Sequence, residues 1–351
     1  MTILTYSDAT IVAEHKQAFS RSTRSDRPSN SSNWVDAVRV VASYFIIWIH
    51  VPRSSVMIQT TVIGRFAVPF FAFAAVFFAA QNGLQKRDRS IGKMLASRFH
   101  RIYVPFLLWS GIYFAFKVVK LALLPDQPND FPGWEFFVEG TAYHLWFLPF
   151  VFLTTIVAFS AARLVRGRDS KNAIVVAVTL AVSVCLINSD AWSTTDGLIY
   201  MWQTLPAAFA AFAFAMFVHR AAVGNLKRVA SPVGFAVAVA CMLLLVSNRR
   251  NVMLENICGV ALFVWAYWKT NTQLKSKMIQ RLAPLAFGIY LSHLLFVKVI
   301  EAVTQKLGLV PSAWLDVVMF AAVAIGSTLM CGTYNSVRSR LRPARFGWLL
   351  P

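Results

Sequence analysis

Long apolar stretches alternate with short polar ones from residue 36 to residue 334. Ten runs carry the pattern: 36–52, 61–80, 102–124, 145–162, 173–189, 198–218, 231–247, 252–268, 282–300 and 313–334. A bilayer core about 30 Å thick takes roughly 20 predominantly apolar residues per helix. The pattern predicts an all-α, polytopic integral membrane protein of about ten transmembrane helices. Runs 231–247 and 252–268 are separated only by the turn Asn248-Arg249-Arg250-Asn251. Residues 1–33 are polar, rich in Ser and Arg, and lack the apolar core of a signal peptide. They read as a disordered cytoplasmic tail, residues 34–335 as one membrane domain, and residues 336–351 as a basic cytoplasmic tail.

Composition sharpens the class. Of 351 residues, 57% are hydrophobic and only 14% charged, with a mean hydropathy of +0.57. A soluble domain carries about a quarter of its residues charged, so a water-soluble globule is excluded. The net charge of +19 would suit nucleic acid, but its distribution points elsewhere. One alternating set of loops holds 25 Lys and Arg and the opposite set holds 4. Positively charged loops stay in the cytoplasm, so both termini are expected inside. The basic charge is a topology signal, with attraction to anionic lipid head groups added, and nucleic acid is not an expected partner. The longest outer loop, 125–144, is instead acidic and aromatic: Asp126, Asp130, Trp134, Glu135, Glu139 and Tyr143. The four cysteines lie apart within apolar runs with no CxxC pair, so neither a disulfide framework nor a metal site is expected.

Ionisable groups inside spans are expensive and mark functional candidates. Arg39, Arg65, Lys117, Lys120, Lys298, His50, His293 and Glu255 all fall in the runs. Arg39 and His50 are eleven residues apart, which on a helix means three turns plus about 20°. They share a face about 16 Å apart along the axis, one at the cytoplasmic end and one toward the outer side. Either the pair serves a ligand, or Arg39 snorkels as an anchor and His50 is a buried helix-end histidine. Arg98 and Arg101 are three apart and share a face if the third helix has already begun. Two guanidiniums so spaced can grip a phosphate through forked hydrogen bonds. Lys86, Arg87, Arg89 and Lys93 need no more than the positive-inside rule. His144, in Tyr143-His144-Leu145-Trp146, reads as interfacial at the predicted level of His50. His293, in Gly288-Ile289-Tyr290-Leu291-Ser292-His293, is equally open to structural and functional readings.

These segments occur in an order that resembles the membrane acyltransferase-3 family. Arg39 followed by ten residues and His50 resembles its Arg-x10-His signature, and Arg98-x-x-Arg101 before Ile-Tyr-Val-Pro-Phe its Arg-x-x-Arg motif. His144-Leu-Trp146-Phe-Leu and Gly288-Ile-Tyr290-Leu-Ser-His293 are similar to two further blocks of the family. The likeness spans about residues 34–335. One departure is Ala74-Ala75, where family members carry Ser-Gly.

The resemblance implies transfer of an acyl group, acetyl or succinyl, from cytoplasmic acyl-CoA to a hydroxyl of a cell-surface glycan or its lipid-linked precursor. The setting it implies is the bacterial inner membrane, in the stand-alone form without an attached esterase-like domain. Acyl-CoA would be a co-substrate, with no cofactor tightly bound. In that scheme Arg39, Arg98 and Arg101 hold the anionic end of acyl-CoA and His50 is the general base. His144, Trp146, Glu139 and Arg65 line the acceptor pocket. His293 and Glu255 have no fixed role, and Glu135, Glu139 and Glu255 are each open as the histidine's carboxylate partner. The rival reading is a multi-span transporter or flippase using Lys117, Lys298 and Glu301. It lacks a matching pair of Gly/Pro-interrupted helices.

Overall fold

The computed structural model describes residues 33–85, 90–123, 133, 136–166, 171–187, 197–220, 226–248, 251–269, 274 and 276–340. The expected tail over 1–32, the loop cations Lys86, Arg87 and Arg89, the residues Asp126, Asp130, Trp134 and Glu135, and 341–351 lie outside them. Among the described residues there is no strand. The chain begins with α1 (Asn33–Trp48), α2 (Ser55–Gly64), α3 (Ala67–Gln85) and α4 (Ile91–Arg98). A π-helical turn, Phe99–Tyr103, joins α4 to α5 (Val104–Leu123). After the short α6 (Phe136–Glu139), a 3₁₀ turn over Tyr143–Trp146 opens α7 (Phe147–Val165). There follow α8 (Lys171–Ile187), α9 (Gly197–Arg220), α10 (Leu226–Asn248) and α11 (Val252–Trp268). The last part holds α12 (Lys277–Leu282), a 3₁₀ turn Ala283–Leu285, α13 (Ala286–Lys306) and α14 (Ala313–Arg340).

Each of the ten apolar runs contains a helix. Seven helical stretches are long and apolar enough to cross a membrane: 55–85, 91–122, 143–165, 198–220, 229–247, 277–306 and 313–337. The helices of the other three runs, α1, α8 and α11, have 16 or 17 residues. At 1.5 Å per residue they reach about 25 Å, slightly less than the apolar layer. Apolar side chains on the bundle's perimeter, including Val175, Leu243 and Leu329, are exposed. Exposed apolar surface of that extent belongs against lipid. The chain is a multi-pass membrane protein.

Boundaries differ from the pattern where local chemistry intervenes. The first helix stops at Trp48, short of residue 52, and His50 sits in the closing turn, its N–H donating to Ile47 O at 3.0 Å. Pro52 is the cause, since the residue before a proline is held out of the helical region. The third helix starts at Ile91 instead of residue 102, because Ser90 caps it by accepting from Lys93 N at 3.2 Å and Met94 gives its first turns a buried side. The last helix runs on to Arg340, since polar residues continue a helix once its backbone bonds are in register.

The core is built on α3. Phe70, Phe73 and Phe77 project from it onto Phe263 of α11, with ring centroids 4.9–6.0 Å apart. Phe214 of α9 closes on Phe73 and Phe77. Lipid is as apolar as these rings, so close packing rather than exclusion from water holds such helices together. Small residues permit that closeness. A Cβ at Gly259 would lie 2.7 Å from Phe70 N and 2.8 Å from Phe66 O, and only glycine fits there. Buried Ala207, Ala208, Ala211 and Ala215 do the same for α9.

Candidate active site

Three histidines from distant parts of the chain converge. His50 lies in the turn that ends α1, His144 in the 3₁₀ turn before α7, and His293 two turns into α13. The His50 and His293 rings stack at 5.3 Å with a 19° interplanar angle, and His144 meets His293 edge-on at 5.0 Å. Tyrosines fix the rings. Tyr143 Oη is 2.9 Å from His50 Nδ1, and the Tyr290 hydroxyl donates to the His144 carbonyl. Tyr113 Oη donates to Leu291 O at 2.8 Å and accepts from Leu295 N at 3.2 Å, tying α5 to α13 beside His144.

These bonds settle one tautomer. His293 Nδ1 lies 2.6 Å from the carbonyl of Tyr290, and a carbonyl only accepts, so Nδ1 carries the hydrogen. Nε2 of His293 is then a bare lone pair, buried and without a hydrogen-bond partner among the described residues. The sequence left His293 without a role, and the fold puts it against His50.

Two cavities meet beside this cluster. One, of about 230 Å³, is lined by His50, Arg65, His144, Trp146, Glu255 and Asn256 among others. The other, of about 610 Å³, is lined by Arg39, Arg98, Arg101, Ala74, Ala75 and further apolar side chains. Phe147 and Tyr290 belong to both walls. This aromatic pair is thus a wall common to the arginine-lined cavity and the histidine-lined one. Ala74 and Ala75, the departure from the family pattern, have the larger cavity as their neighbour.

Local structure explains how the arginines arrive there. Helix α4 has indeed begun before Arg98, and the π turn carries the chain through Arg101. Pro105 cannot donate to the Arg101 carbonyl, and its ring crowds that position, so the helix widens at this point. Arg98 is half-buried and Arg101 exposed, as suits donors facing an open cavity. Arg39 is already engaged on one side. Its Nη2 pairs with Asp36 at 3.1 Å and donates to Ala283 O at 2.9 Å, holding α1 to the turn before α13. Its Nε is buried with no partner among the described residues.

The remaining candidates divide. Trp146 is buried and stacks on Tyr200 at 5.8 Å. Glu255 is buried in the first turn of α11, where the helix N-terminus favours its charge. Arg65 follows α2 and faces the smaller cavity, with a buried Nε that has no partner among the described residues. Glu139 lines neither cavity. Its carboxylate accepts from Leu198 N at 3.1 Å and so caps α9.

Sequence reasoning passed over Asn256, Tyr113 and Asp316. A polar Glu255-Asn256 pair inside an apolar run was a usable signal. Asp316 gave none beyond an acid in a first helical turn. It is fully buried, and its carboxylate accepts from Arg53 N at 2.9 Å, Ser54 N at 3.0 Å and Ser54 Oγ at 2.5 Å. Arg53 in turn pairs with Glu301 of α13, which Lys298 also reaches at 2.8 Å. The loop leaving His50 is thereby fastened to α14 and to the helix that carries His293. Among the described residues no group of three or more His, Cys, Asp or Glu side chains is arranged to hold a metal ion.

A family model described as an acyltransferase domain matches residues 32–333, most of the chain. The chain belongs to the acyltransferase-3 family. Every segment that resembled it falls within the match, and this acyltransferase carries all three histidines and both cavities inside it. No curated protein and no solved structure matches the chain.

Proposed function

We propose that this acyltransferase moves an acyl group, acetyl or succinyl, from acyl-CoA to a hydroxyl of a cell-surface glycan or its lipid-linked precursor. The observation that carries the reading is the junction of an arginine-lined cavity with a histidine-lined one across Phe147 and Tyr290. Arg98 and Arg101, with the free side of Arg39, hold the phosphates of CoA by charge-assisted hydrogen bonds. The pantetheine arm runs past Phe147 and Tyr290, and the thioester reaches His50. The acceptor occupies the smaller cavity, against Trp146 and His144.

His50 takes the proton of the acceptor hydroxyl as its oxygen attacks the thioester carbonyl. The new C–O bond forms, the C–S bond breaks, and the imidazolium returns the proton to the departing CoA sulfur. Tyr143 holds the His50 ring at Nδ1, leaving Nε2 for this transfer. The bias of Lys and Arg to one set of loops supports ten spans with both termini in the cytoplasm, and the family resemblance supports a bacterial inner membrane. Acyl-CoA then binds from the cytoplasmic side and the acceptor from the other.

The test uses full-length protein in lipid nanodiscs, radiolabelled acetyl-CoA or succinyl-CoA, and a bacterial glycan acceptor. Label appearing in the glycan as a base-labile ester is the expected result. Glycan movement across proteoliposomes without acyl-CoA, and no label in it, would instead favour a carrier. Asp316→Asn probes the fastening of the His50 loop. A misplacement of about 1 Å costs up to 10²-fold, so kcat should fall ten- to a hundredfold, with an unchanged acyl-CoA KM in the steady-state assay.

A further inference from the structure

Among the buried polar atoms at the smaller cavity that have no hydrogen-bond partner among the described residues, one is a guanidinium donor and one is an amide acceptor. Arg65 Nε is a donor, and Asn256 Oδ1 is an acceptor; neither has a partner among the described residues. Both residues line the cavity. Asn256 is only 3% exposed, and its amide nitrogen is fixed by bonds to Gln203 O and Val252 O, each 2.9 Å. The Oδ1 atom therefore cannot turn to satisfy itself elsewhere. Arg65 makes no ion pair with a described residue. The Glu255 carboxylate lines the same cavity.

Such atoms are costly to strand. A buried polar atom without a partner loses its hydration for nothing. Their side chains face a cavity rather than packed protein, so a ligand can supply the complements. Arg65 calls for an anion, matched by a forked pair of hydrogen bonds. Asn256 Oδ1 calls for an O–H or N–H group. At about 230 Å³ the cavity is smaller than the roughly 300–1,000 Å³ of drug-sized ligand sites. It suits a single ring. Arg53 and Lys298 share the Glu301 carboxylate and do not line this cavity, which leaves Arg65 as its guanidinium.

We infer that the sugar residue acylated by this enzyme is anionic, bearing a carboxylate or phosphate that Arg65 binds while one of its hydroxyls donates to Asn256. This rests on the reading of the smaller cavity as the acceptor site. A neutral sugar offers Arg65 Nε no charged acceptor, whereas an acidic one does. The discrimination is of the kind that polar sites make strongly, because the wrong ligand strands a buried group.

The test supplies full-length protein in nanodiscs with labelled acetyl-CoA and three sets of acceptors: methyl hexuronosides, the corresponding neutral methyl hexosides, and methyl hexoside phosphates. Wild type should favour at least one anionic set over the neutral set by about tenfold or more in kcat/KM. The preferred set tells carboxylate from phosphate. In Arg65→Gln the anionic-to-neutral ratio should collapse toward one, and Arg65→Lys should retain part of it. Equal use of neutral and anionic sugars by wild type would overturn the inference. So would an Arg65→Gln variant in which the ratio is unchanged, which would place Arg65 in chemistry common to all acceptors. Equilibrium dialysis of the labelled methyl hexuronosides and hexoside phosphates, without acyl-CoA, separates the two proposals. Arg65-dependent binding with no transfer sinks the acyl-transfer reading alone. Absence of binding and of anionic preference sinks this inference alone if neutral sugars are acylated.

Discussion

His50→Ala should lower acyl transfer by roughly 10²–10⁴-fold, the usual contribution of a positioned general base. The loss belongs in kcat, since the imidazole acts on the acceptor proton and makes no contact with the nucleotide end of the donor. Acyl-CoA binding, read by dialysis of the labelled donor, should therefore persist. Folding should too, because His50 sits in the turn that closes α1 and is only half-buried. His293 gives the measurement a sharper edge. Its ring stacks on that of His50, and its Nε2 is buried with no hydrogen-bond partner among the described residues. If His293 were the true base, His50→Ala would keep much of the rate and His293→Ala would lose it. Near-normal turnover by His50→Ala would remove the base assignment.

Loss of both Arg98 and Arg101 should have the second largest effect. Hydrogen bonds to charged groups contribute about 1.5–3 kcal/mol each. The double Ala variant should thus raise the KM for acyl-CoA on the order of a hundredfold or more, with a smaller change in kcat at saturation. Charge in this region also sets orientation, so a double Lys variant is the control. It keeps the positive-inside signal but loses the planar fork. An intermediate KM is expected from it, with normal orientation by protease accessibility. Unchanged acyl-CoA dependence in the double Ala variant would return these residues to being topology signals only. Arg39 should show a mixed phenotype, because its Nη2 already ties Asp36 and Ala283 together.

Several residues nominated from the sequence share a cavity in the fold. Arg39, Arg98 and Arg101 were nominated as one group, and all three line a single cavity. His50 was nominated as the base and His144, Trp146 and Arg65 for the acceptor pocket, and these four line the other. Glu139 was grouped with them on the strength of its loop alone, yet it caps α9. A carboxylate near a membrane surface has many backbone N–H groups in reach, and spacing along the chain does not say which it takes. Helix lengths were also imperfectly visible. Hydropathy marks where a chain is apolar, whereas Ser90 at one end and Pro52 at another decide where helical hydrogen bonding starts and stops.

The sequence by itself determined that this chain is helical, apolar and membrane-embedded, and which ionisable groups enter the apolar layer. Those properties depend on residue type and on spacing within one helix. Only the tertiary structure decided that His293 stacks on His50, that the two cavities share Phe147 and Tyr290, and that Asp316 fastens the His50 loop. It also decided that Arg65 and Asn256 face one cavity with atoms left unpaired. Such contacts join residues far apart in the chain, and they depend on how helices cross and how closely small residues let them approach. Periodicity along any single helix carries no record of either.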